Sequence, residues 1–204
     1  MNPGVMRMAR RKTKTRRAGG FDRAKIERAV RLLLTGIGED ISREGLKGTP
    51  RRVCDLYEEI LSGMGDDPSR HLRCIKTQYE NDVVVVKDIR FTSVCEHHLL
   101  PFIGKVGVAY VPRGGNIVGI SKIVRAVEAI SHRLQIQERM TSELASVIDQ
   151  KLKPAGVFVI VEAEHLCMTL RGVKKPGAVI VTTEARGILK QPERQALALS
   201  TISR

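Results

Sequence analysis

A chain of 204 residues with 42% hydrophobic and 28% charged side chains has the make-up of a globular domain that can bury a core without disulfide staples. Aromatic residues are 3% and Trp is absent, which argues against a single-strand nucleic-acid binder built on stacking platforms, and no apolar run approaches the roughly 20 residues of a membrane span. The formal charge is +13, and residues 1–20 hold seven Lys or Arg and no acid; the remainder, with 28 basic against 22 acidic residues, suits a polyanionic small molecule such as a nucleotide.

In chain order, residues 1–20 are expected to be a disordered, solvated arm. Ile26, Val30, Leu33 and Ile37 recur at helical steps and predict one face of a helix. Thr49-Pro50 reads as an N-cap with Pro opening a second helix, carried on by Val53, Leu56, Tyr57, Ile60 and Leu61. Residues 21–70 thus form a helical segment. Strands are predicted at Val83–Val86, around Val106, Val108 and Tyr110, at Val157–Val161 and at Ala178–Val181. The run from Cys95 to Phe102 reads as a loop, and so does His165-Leu166-Cys167. Ser121 is the expected N-cap of a long helical region, with Ile123, Val127, Ile130 and Leu134 on its buried face and a second register at Met140, Leu144, Ile148 and Leu152. Strand pairs around helices indicate an α+β domain with an antiparallel sheet over residues 71–190. Residues 191–204 are weakly patterned and are expected to be a tail.

The cysteines at 54, 74, 95 and 167 form no CxxC pair, which fits reduced thiols in a cytoplasm. Cys95 and His98 are three apart and Cys167 lies far downstream, a workable zinc set that leaves a fourth position open, as in catalytic sites. His97 and His165 sit beside those ligands and suit proton transfer; for a lone His an ordinary hydrogen bond would be the better reading. Ser121, Lys122 and Arg125 at a helix start form a natural phosphate site, set against a solvated basic turn. Gln135, Gln137 and Glu138 form a polar island that could contact a guanine-like edge, but by pattern alone it reads better as a helix junction with exposed polar residues.

Four motifs now stand in order. They are Cys95-Glu96-His97-His98-Leu99-Leu100-Pro101-Phe102, Gly119-Ile120-Ser121-Lys122, Gln135-Ile136-Gln137-Glu138-Arg139-Met140-Thr141, and His165-Leu166-Cys167-Met168-Thr169-Leu170-Arg171-Gly172-Val173. Together they resemble the GTP cyclohydrolase I family from about residue 21 to about 189. The resemblance implies hydrolysis of GTP to formate and 7,8-dihydroneopterin triphosphate, the entry step of folate or tetrahydrobiopterin synthesis. It implies the tunnelling fold, a four-stranded antiparallel sheet with helices on one face, assembled into a decamer of two stacked pentamers with interfacial sites. It also implies roles: Cys95, His98 and Cys167 bind zinc (Zn2+), and His97 and His165 handle protons. Glu138 and Gln137 hold guanine, Lys122, Arg125, Arg171 and Arg52 face the triphosphate, and Ser121 touches the ligand. The family often has Phe after the Gly that follows the last strand; here Gly187 is followed by Ile188-Leu189. Other enzymes of this fold use a different residue set, a zinc deaminase would need H-x-E with P-C-x-x-C, and a nucleic-acid-binding zinc protein is disfavoured by the charge lying mainly in the arm. No membrane partner is expected.

Overall fold

A computed structural model describes residues 20–78 and 83–203; the basic arm lies outside the described residues. Helix α1 (Arg23–Gly36) starts at Asp22, whose side chain accepts from the Lys25 N–H at 3.0 Å. It is the helix the periodicity predicts, but none of its residues is buried: Leu32 is 63% and Leu33 64% exposed, and Ile37 falls just past its end as the C-cap. A short α2 (Glu44–Lys47) leads into α3 (Thr49–Ile60), which begins one residue earlier than expected, with Gly48 at the N-cap and Pro50 in the first turn. The Arg133 guanidinium ties this helical segment to the rest, donating to the carbonyls of Gly63, Asp66 and Ala129 and to the Glu143 carboxylate.

Strands β1 (Cys74–Lys76) and β4 (Asn116–Val118) form a small antiparallel pair. The main sheet holds β2 (Val84–Cys95), β3 (Pro101–Val111), β5 (Leu134–Gln135), β6 (Gly156–His165) and β7 (Val179–Gly187), in the order β5-β2-β3-β6-β7. Four strands are antiparallel as expected; the fifth, β5, runs parallel to the end of β2. The expected four-stranded antiparallel sheet is therefore a five-stranded mixed one. The strands also reach well past their β-branched cores. The predicted Cys95–Phe102 loop shrinks to a turn, because the i to i+4 bond from Leu99 N to Cys95 O and the bond from Cys95 N to Leu100 O fold the chain straight back, with Leu99 in the left-handed region.

The long helical region divides where Leu134, expected on a helix face, pairs with Val94. Before the break is α4 (Ile120–Ser131), after it α5 (Gln137–Leu152). Ser121 lies inside the first turn of α4 rather than at its N-cap, which is Gly119. Ile123, Val127, Ile130, Met140, Leu144 and Ile148 meet Val157, Val159 and Val161 in the principal core. Strand β6 is buried on both faces: Phe158 and Ile160 point the other way, into a second core with Ala198 and Ile202. Those two belong to α7 (Pro192–Ser203), which occupies the segment expected to be a tail. Its Ala and Leu content is helix-forming, and the uncovered sheet face supplies the burial its weak periodicity does not announce. Helices therefore cover both faces of the sheet, not one. Gly107 permits the approach, since a Cβ there would lie 2.4 Å from the Ile202 side chain.

Candidate active site and metal centre

The register explains why distant residues meet. Strands β2 and β6 both pair antiparallel with β3, so they run parallel and their C-terminal ends lie at the same end of the sheet. Cys95 ends β2 and His165 ends β6, with Phe102, near the start of β3, directly opposite His165. Cys95 pairs with Gln135, and the chain then turns into α5, so Gln137 and Glu138 reach the same end. Cys167 follows in a single helical turn, α6 (Leu166–Thr169). Ligand-type atoms of Cys95, His165 and Cys167 all lie within 4.8 Å of one another.

Two sulfurs and an imidazole nitrogen are the donor set of a thiophilic divalent cation such as zinc. Burial, reinforced by the neighbouring Cys95 sulfur, pushes the Cys167 thiol above its ordinary pKa. A bound cation would offset the charge that burial makes costly on the Cys167 sulfur. These residues fit a metal ion.

The nitrogen donor brought to the sulfurs is that of His165. His98 Nε2 instead lies 2.7 Å from Arg171 Nη1; a guanidinium only donates, so that ring nitrogen is the acceptor. His97 and His98 are exposed, their rings perpendicular with centroids 6.5 Å apart. His165 is 8% exposed and stacks on Phe102 with centroids 4.4 Å apart and planes 5° apart. Burial lowers its pKa, opposed by the nearby Glu138 carboxylate, so the ring is held neutral further into the acid range than a free histidine.

Glu138 is exposed in the first turn of α5, as a ligand contact requires. Gln137 is placed differently from the expected guanine contact. It is 2% exposed, and its amide is spent on Val161 O, Ile180 O, Thr182 Oγ1 and His165 Nε2. Nor is Gln135 part of an exposed junction: it is 1% exposed and bonded to Ile130 O. Arg171 lies on the loop after Cys167. Glu164 holds that loop by accepting from Thr169 Oγ1 at 3.0 Å and Gly177 N at 2.9 Å, which lowers the pKa of its carboxyl. A pattern reading overlooks Glu164 and Thr182, whose only signal is their register beside motif residues, and assigns no role to Phe102 at the end of the first motif.

Ser121, Lys122 and Arg125 are not brought to the sulfurs. The end of α4 leads directly into β5 and so to Cys95, whereas these residues sit in its first two turns. Along the axis, Lys122 lies roughly 14 Å and Arg125 roughly 9 Å from the last residue of α4. Arg125 is exposed and lines a cavity of about 500 Å³ with Arg70, His71, Glu128 and His132. Arg52 is exposed in the first turn of α3, its guanidinium lying over Gly48.

Residues 26–203 match the family model described as GTP cyclohydrolase I. "GTP cyclohydrolase 1" of Pelotomaculum thermopropionicum is 55% identical over 171 residues, covering 84% of this chain and 91% of that protein. "GTP cyclohydrolase 1" of Bacillus subtilis (strain 168) is 54% identical over 169 residues, covering 83% and 89%. Among solved structures, the archaeosine synthase QueF-Like in the apo form aligns over 53% of this chain and 97% of its own with 19% identity and a TM-score of 0.42, too partial a likeness to bear on the fold. A match over most of the length, at more than half identity and with the Cys–His–Cys residues gathered at one end of the sheet, settles the kinship: the chain belongs to the GTP cyclohydrolase I family.

Proposed function

We propose that this chain hydrolyses GTP, releasing formate from the imidazole ring of guanine and closing the remainder into 7,8-dihydroneopterin triphosphate, as the first step towards folate or tetrahydrobiopterin. The observation that carries the reading is the gathering of Cys95, Cys167 and His165 beside the exposed carboxylate of Glu138, in a chain of this family. Zinc is the proposed ion, and when bound it supplies the Lewis acidity that makes water nucleophilic at neutral pH. Cys95 and Cys167 supply its sulfur ligands. His98 is the proposed nitrogen ligand, swinging from Arg171 to the ion three residues along from Cys95. The closeness of His165 to the sulfurs favours a second reading, in which His165 itself is the nitrogen ligand.

In the first reading His165 takes a proton from the attacking water and passes it to guanine N7, which makes C8 electrophilic. His97 assists the later ring opening. The Glu138 carboxylate accepts from N1–H and the 2-amino group of guanine. Lys122, Arg125, Arg171 and Arg52 hold the triphosphate, with Ser121 beside them, and so fix the base over the sulfurs. Net, one water enters and formate leaves.

The distance along α4 supports a site that draws Lys122 and Arg125 from another copy of the chain. The uncovered apolar face of α1 supports such an assembly, which we take to be the ring decamer of the tunnelling fold. All proposed site residues but Arg52 lie within 71–190, the proposed catalytic unit. The free cysteines support a cytoplasmic setting, and no described helix is long and apolar enough to cross a membrane. The test is formate release from GTP by the zinc-loaded protein near neutral pH, with a fluorescent neopterin after oxidation and dephosphorylation. No formate from metal-loaded protein rejects the reading.

A further inference from the structure

We infer that Gln137 is a positioning residue: it fixes the tautomer of His165 and so decides which ring nitrogen serves the site. The inference deepens the function proposed above and depends on it for the reaction; the tautomer follows from hydrogen bonds alone.

The two ends of a glutamine amide are told apart by their partners. One end of the Gln137 amide lies 2.9 Å from Val161 O and 3.0 Å from Ile180 O. Both are carbonyls and only accept, so this end must be the NH2 group. The other end, 2.9 Å from His165 Nε2, is then the carbonyl oxygen, which only accepts. His165 Nε2 therefore carries the proton, and the neutral ring keeps its lone pair on Nδ1.

Two threonines flank the amide. Thr141 Oγ1 lies 2.8 Å from the backbone carbonyl of Gln137 and can donate there. Thr182 Oγ1 lies 2.6 Å from Thr141 Oγ1, where either hydroxyl can donate, and 3.1 Å from the Gln137 NH2 group, whose two protons are shared among Thr182 and the two carbonyls. Flipping the amide would press its oxygen against two carbonyls, that of Val161 buried and that of Ile180 half-buried, and leave the His165 proton facing an N–H, and unpaired polar groups in such a place are costly.

The Phe102 ring closes one face of the imidazole, and Nε2 is tied to Gln137. Nδ1 is the one nitrogen lone pair that His165 has for an ion or for a proton in transit. In the proton-transfer reading, Nδ1 takes the proton from water and gives it to guanine N7. The exposed His97 and His98 have no buried partner of this kind among the described residues. The amide expected to read guanine instead aims the imidazole.

The test uses the full-length, zinc-loaded protein with 15N-labelled histidine. Long-range proton–nitrogen NMR spectra should show His165 as a single Nε2–H tautomer. Gln137→Met should leave two tautomers in exchange and lower kcat roughly 10- to 100-fold, with KM for GTP within about 3-fold of the starting value. Thr182→Val keeps both carbonyl acceptors and should keep the Nε2–H tautomer. An Nδ1–H signal in the unsubstituted protein overturns the inference, even if Gln137→Met fails to fold. A Gln137→Met protein that keeps one Nε2–H tautomer while KM rises also overturns it, since Gln137 would then be a substrate contact. Nε2–H in a protein that releases no formate from GTP would instead sink the proposed reaction and leave this inference standing.

Discussion

His98 and His165 compete for one role, and their surroundings differ more than their sequence context does. His165 is stacked, buried and hydrogen-bonded, so its ring has little freedom; His98 is held at the surface by Arg171. A ring fixed through its other nitrogen suits a metal ligand as well as a proton carrier, so metal content rather than mobility separates the two roles. Cys167→Ser and His98→Ala are each expected to purify with well under half the metal of the unsubstituted protein by elemental analysis. His165→Ala should keep its metal and lose about 10²- to 10⁴-fold in kcat. If His165→Ala sheds metal as Cys167→Ser does, His165 is the nitrogen ligand.

Elements set what these residues can reach. The loop after Cys167 carries Arg171 and is anchored to β6 by the Glu164 carboxylate. Hydrogen bonds to the ionised form, first from Gly177 N and then from Thr169, hold the Glu164 pKa below its unfolded value. The stabilisation is therefore full above the ordinary glutamate pKa of about 4.3 and is lost as pH falls through the lower folded value. Hydrogen exchange of residues 170–178, corrected for intrinsic rate, should speed up over that acid window in the unsubstituted protein. Glu164→Gln should weaken this dependence. On the other side of the sheet, Ile202→Ala should cost about 2–4 kcal/mol by denaturant titration, because α7 covers Phe158 and Ile160 from there. Gly107→Ala should also destabilise, by collision with Ile202 and Ile160.

Across the whole molecule, Lys122, proposed to hold the triphosphate, lies at the start of α4, and the sulfurs proposed to hold a metal lie beyond its end. A site drawing on two copies makes a sharp prediction. Lys122→Ala and Cys167→Ser proteins should each be nearly inactive. Co-assembled in equal amounts, they should recover activity, since about a quarter of the sites would pair an intact Lys122 with an intact Cys167. No recovery in mixed oligomers verified by native mass spectrometry would place both residues in one chain's site.

The sequence alone determined the local and the chemical. Helical spacing marked α1, α3 and the cores of α4 and α5, β-branched runs marked the centres of four strands, and the motif residues marked the two sulfurs, the imidazoles and the family. Tertiary structure decided the rest, because those choices depend on neighbours that spacing cannot encode. Gln137 and Gln135 read as polar surface until their partners are known, for an amide is buried only where carbonyls and rings wait to pair with it. Residues 192–203 read as a tail until an uncovered sheet face gives their apolar residues something to bury against. The nearness of Cys95 to His165 follows from two strands of one sheet ending side by side, a matter of register across seventy residues of chain.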